Sequence, residues 1–172
     1  AGHMCLGKDF LGKTMKPAKI GFFSLEMGLM DLKYFLSQMQ FSFTPEEQDV
    51  LEQNLQIFPL GEPLYMTDDN VKSQMDQLVG DLGLDGIMVD SLGSATDEEV
   101  ANEQFKRFFH WNDQFRQRHD VFTWYIHHHR KAGGDNKKPN KLADVYGSQY
   151  ITSYATTVAC LWDAGVPNVV QF

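Results

Sequence analysis

Three observations predict an α/β fold, a mostly parallel sheet with helices on both faces. Three apolar runs without polar alternation, at 20–24 (IGFFS), 86–89 (GIMV) and 121–126 (VFTWYI), have the composition of strands covered on both sides. Amphipathic helical segments lie between them, and strands joined by such crossovers run parallel. Each run leads to a side chain with chemistry to offer: Glu26, Asp90, and the imidazoles His127 and His128. Parallel strands bring their carboxyl ends to one side of the sheet, the side on which open α/β sheets bind ligands.

The middle run, LDGIMVDS at 84–91, organises the rest. An Asp at a strand's carboxyl end followed by a Ser can hold Mg²⁺, directly or through water, beside a phosphate, so Asp90 is a metal candidate and Asp90 with Ser91 a cofactor-binding pair.

In chain order, residues 5–14 read as a helix with Leu6, Phe10 and Leu11 on one face, followed by Pro17 and a strand over 18–24. Leu32, Phe35, Leu36 and Met39 recur at helical spacing and predict a helix over 29–40. Thr44, Pro45 and Glu47 supply an N-cap, a proline at the first helical position and a capping-box acid, which predicts a helix through about residue 58. A short strand is expected over 63–67, and residues 68–70 cap a helix over 71–82. The segment 96–120 reads as a long helix whose Ala101, Phe105, Phe108, Phe109 and Phe115 form a core-facing stripe. After the strand at 121–128 come a basic loop, a helix over 141–154, a strand over 156–162, a turn at 165–167 and a strand over 168–172.

A chain of 172 residues suits one domain with a real core. No run approaches the length of a membrane helix, and no secretory signal opens the sequence. The two cysteines, Cys5 and Cys160, lie far apart without a CxxC, which argues against a disulfide framework or a cysteine zinc site and points to a reducing, cytoplasmic setting. The opening AGHM at 1–4 reads as a cloning scar, with a single domain over 5–172. The net charge of −8 excludes a body coated in positive potential. Yet between 128 and 141 five cations, Arg130, Lys131, Lys137, Lys138 and Lys141, face one anion, Asp135, so this loop carries +4 and the remainder −12. Such a basic, glycine-containing loop on an acidic body is a localised anion contact.

The run GKDFLGKT at 7–14 matches the phosphate-loop pattern letter for letter. That motif works only between a strand that presents it and a helix whose free amides face the phosphates. Here too few residues precede it for a strand and Pro17 follows at once, so Gly12 to Lys16 read as a helix end and connector, and Lys13 is not taken as a nucleotide ligand.

Taken together, IGFFSLEMG at 20–28, DGIMVDSLGS at 85–94 and the stretch from HHHRKAGG at 127–134 through DVYGS at 144–148 to 162 resemble the RecA-like motor domain of hexameric replicative DNA helicases, the DnaB-like and phage helicase-primase group. The resemblance spans nearly the whole chain. It implies ATP and Mg²⁺ as cofactors, single-stranded DNA as partner, a homo-hexameric full-length protein and no membrane. By the same resemblance Glu26 polarises the attacking water, Asp90 is the Walker B carboxylate, and His128, among His127, His128 and His129, fits the γ-phosphate sensor best. Arg130, Lys131, Lys137, Lys138 and Lys141 fall in the family's channel loop for DNA, with Gly147 and Ser148 just after it. The family's phosphate loop and arginine finger have no counterpart in this sequence, which therefore looks like a motor core trimmed at both ends and inactive alone.

Two other readings compete. His127 and His129, which share a strand face, could form a metal site with Asp90. Alternatively, the chain is a non-catalytic module without a phosphate loop that docks on a helicase ring or on DNA.

Overall fold

The computed structural model describes residues 1–10, 12–96, 102–128, 149–163 and 170–171. Its centre is a four-stranded sheet, all parallel, built from β1 (Ile20–Ser24), β2 (Leu55–Pro59), β3 (Gly86–Asp90) and β4 (Phe122–Ile126) in the order β2-β1-β3-β4. The register aligns Ser24, Asp90 and Ile126, so the ends of the adjacent strands β1, β3 and β4 stop level with one another.

Side chains alternate across the pleat and feed two apolar layers, as strands covered on both faces require. Phe23, Ile87 and Val89 face a large cluster with α4 (Asp69–Leu82), α5 (Leu92–Ala95), α6 (Asn102–His119) and α7 (Gln149–Tyr154). Ile20 and Met88 face a smaller one with α1 (Gly2–Leu6) and α3 (Pro45–Asn54). The helices thus cover both faces of a RecA-like α/β sheet. The aromatic stripe of α6 packs as expected: Phe105, Phe108, Phe109 and Phe115 are buried, and Trp111 joins them. Ala101 lies outside the described residues.

Several elements differ from the sequence reading. The first helix, α1, stops at Leu6 because Gly7 takes a left-handed φ of 66°, and the expected helix over 5–14 is not formed. Within α1, Gly2 and Cys5 are buried. The capping box at Thr44 is present, with the Thr44 hydroxyl accepting from Glu47 N–H and the Glu47 carboxylate accepting from Thr44 N–H. The helix it starts ends at Asn54, not near 58, and the next five residues are β2. Phe58 stacks on Phe23 of the neighbouring strand, with ring centroids 4.6 Å apart, which draws this segment into the sheet. Residues 63–67, expected to be a strand, instead run along α5, where Leu64 and Met66 N–H donate to the carbonyls of Ser94 and Ala95.

Thr96, expected to begin the long helix, closes α5 in extended backbone, and the described helix starts at Asn102. Over 156–161 the chain is irregular; the strands near the carboxyl terminus are the short β5 (Trp162–Asp163) and β6 (Val170–Gln171), antiparallel and in a sheet of their own. The helix α2 (Leu29–Met39) forms where predicted but buries only Leu32, leaving Leu29, Met30, Tyr34 and Phe35 exposed. Among the described residues, no helix is long and apolar enough to cross a membrane.

Candidate active site at the carboxyl edge of the sheet

Glu26 reaches the edge because β1 ends in a tied turn. Ser24, fully buried, donates its hydroxyl to the Met27 carbonyl at 3.1 Å, while its own carbonyl accepts from the N–H groups of Leu60 and Gly61. Leu25 N–H donates to Asp90 O at 2.7 Å, extending the β1–β3 ladder one step beyond the strand. The next residue, Glu26, is thereby held over the end of β3. Gly61 is required for this arrangement: it has a φ of 64°, and a Cβ there would meet Gly28 Cα at 3.0 Å.

Asp90 ends β3 half-buried, and Ser91 behind it is fully buried at the N-cap of α5. The Ser91 hydroxyl donates to Glu26 Oε1 and accepts from Ser94 N–H at 3.5 Å. Ser94 adds its own hydroxyl, donating to the same Glu26 oxygen at 3.3 Å. From the other side, His128 Nε2 lies 3.5 Å from Glu26 Oε1. Three segments, following β1, β3 and β4, therefore meet at one carboxylate.

The two acids feel opposite environments. Hydrogen bonding from Ser91, helped by His128 and Ser94, outweighs partial burial and holds the Glu26 carboxyl below its ordinary range. Burial pushes Asp90 up, the negative charge of Glu26 adds to that, and His128 offsets part of it. A cation beside Asp90 would relieve both the desolvation and the repulsion, so the residues fit Mg²⁺. Among the described residues no group of three or more His, Cys, Asp or Glu side chains is placed to hold a metal by itself.

Glu26, Asp90, Ser91 and His128 are thus brought together. His129, Arg130, Lys131, Lys137, Lys138, Lys141, Gly147 and Ser148 lie outside the described residues. Lys13 is exposed in a connector that follows a helix and leads through Pro17 into β1, with a local bridge to Phe10 and neither strand before nor helix after the GKT run. Ser94 was not a sequence candidate. Its signal was the spacing in DSLGS, a serine at an N-cap and another three positions on, which returns the second to the side of the first.

The profile of the AAA_25 family, described as an AAA domain, matches residues 1–134 and so spans every element from α1 to β4. No curated protein matches the chain.

Proposed function

Because the chain belongs to the AAA_25 family of AAA domains, which are P-loop NTPase-like, we propose that it is the motor core of an ATP-dependent DNA helicase acting in DNA replication or repair. In this reading the protein couples ATP hydrolysis to movement along single-stranded DNA as a homo-hexamer. The observation that carries it is the convergence of Glu26, Asp90 and His128 at the carboxyl edge of three adjacent parallel strands. Phosphoryl transfer asks little covalent chemistry of a protein; it asks for a positioned water and stabilised charge.

Glu26 is the group that orients the water and accepts its proton, and its lowered pKa keeps it ionised for that task. Asp90 would hold Mg²⁺, which when bound neutralises charge between the carboxylates and the triphosphate. In this reading His128 contacts the terminal phosphate, which its exposed side chain, 65% accessible beside Glu26, supports. Arg130, Lys131, Lys137, Lys138 and Lys141 supply the DNA contact, an assignment that rests on charge and on the resemblance.

The test is ATP hydrolysis by the full-length protein with and without single-stranded DNA. Wild type is expected to show DNA-stimulated turnover. Glu26→Gln should retain nucleotide binding and lose at least about 100-fold in kcat, because the amide keeps the volume but cannot take a proton. Lys13→Ala should leave turnover unchanged, since Lys13 sits outside any phosphate-binding geometry. An ATPase abolished by Lys13→Ala and indifferent to Glu26→Gln would overturn the assignment.

A further inference from the structure

Among the described residues, every hydrogen bond and ion pair of Glu26 falls on Oε1: Ser91, Ser94 and His128 all converge there, and none reaches Oε2. We propose that Ser91 and Ser94 are positioning residues that anchor Glu26 by Oε1 and so reserve Oε2 as the oxygen that receives the water proton. The inference rests on the helicase reading above and assigns roles within its site.

The geometry carries it in three steps. Ser91 is fully buried, so its hydroxyl has no solvent partner to exchange for the carboxylate. It accepts from Ser94 N–H, and with that acceptor site used its proton is directed outward to Glu26. Ser94 sits three positions on, across a single turn of α5, and its hydroxyl reaches the same oxygen from a second direction. Two donors, one at the N-cap of α5 and one within it, fix both the position of Oε1 and the plane of the carboxylate. A glutamate without them has three free torsions at a side chain that is 40% exposed. The lowered pKa of Glu26, with Ser91 as its largest cause, agrees with this arrangement.

Ser91 also caps α5, so the cleaner variant is Ser94→Ala, which removes one hydroxyl and leaves the Ser94 N–H to Ser91 contact in place. In the full-length protein, Ser94→Ala should lower kcat about 10-fold, the effect of one hydrogen bond to a charged group. KM for ATP and the melting temperature should not move, and Ser94→Thr should restore kcat. A crystal structure of the Ser91→Ala, Ser94→Ala double variant should show the Glu26 carboxylate turned away from its wild-type plane. An unchanged kcat in Ser94→Ala overturns the proposal, and so does a raised one, which would mean that the hydroxyls restrain Glu26 instead of aiming it. If wild type has no ATPase, the helicase reading fails by itself. The anchoring role is then decided by the structure alone, and an unmoved carboxylate in the double variant refutes it.

Discussion

At the scale of single residues, Glu26 and Asp90 are neighbours with opposite shifts, and their effects on stability have opposite signs. Glu26 has a folded pKa below its unfolded value, so its contribution is present above the unfolded pKa and is lost as pH falls through the folded one. Asp90 has a folded pKa above the model-compound value of 3.8, so the folded state binds the extra proton and stability declines as pH rises through that window. Asp90→Asn should therefore raise the stability at neutral pH, by no more than about 1 kcal/mol for a half-buried site that solvent still screens. The gain should vanish in acid, where wild-type Asp90 is protonated, and thermal melts across the acid range check it. A variant less stable than wild type at neutral pH would mean that Asp90 has a favourable partner outside the contacts described. Glu26, Asp90 and His128 were legible in the sequence because each follows an apolar run whose polarity changes abruptly. The hydroxyls that hold Glu26 were less so: Ser91 could be seen only as the residue after an acid, and the contact of Ser94 depends on a single turn of helix too short to leave a periodic signal.

At the scale of elements, the signals that survived folding are those written in local chemistry. The capping box at Thr44 forms as its residues dictate, with both reciprocal hydrogen bonds. Thr44→Ala should cost about 1 kcal/mol, measured by denaturant unfolding, whereas Thr44→Ser should cost a few tenths at most. The end of the same helix was not legible, because Leu51, Leu55 and Phe58 continue a helical spacing into what becomes β2. Tertiary contacts decide there: Asn54 closes the helix by exchanging contacts with Cys5, and Phe58 is claimed by Phe23. Residues 63–67 carry strand-like composition, yet the edge of the sheet beside β1 is already taken by β2. Their backbone groups find partners on α5 instead, and this packs the segment against the helix that holds Glu26. The order of strands and helices was thus readable from periodicity, while the position of one strand depended on which aromatic ring met which.

At the scale of the whole molecule, the parallel sheet faces two apolar layers and gathers its polar chemistry at one edge, while the charge is divided between an acidic body and the basic stretch that follows β4. The connection matters for coupling. His128, beside Glu26, is two residues from Arg130, so a contact made on the basic stretch is separated from the Glu26 carboxylate by one short length of chain. Single-stranded DNA bound through Arg130, Lys131, Lys137, Lys138 and Lys141 would involve four or five phosphates at most. Counterion release then gives a slope of log affinity against log salt of about −3. The −12 carried by the remainder opposes any wider contact, so the affinity of a single chain should be weak at physiological salt and should rise sharply as salt is lowered. Replacing Arg130, Lys131, Lys137 and Lys138 by Ala should bring the slope to about −0.7, the share of Lys141 alone, in fluorescence-anisotropy titrations at several salt concentrations. If the helicase reading holds, the same variant should lose DNA stimulation of ATP hydrolysis while keeping basal turnover, because none of Glu26, Asp90, Ser91 and His128 is altered. An unchanged slope would place the DNA contact elsewhere on the chain and break the proposed route from strand to carboxylate.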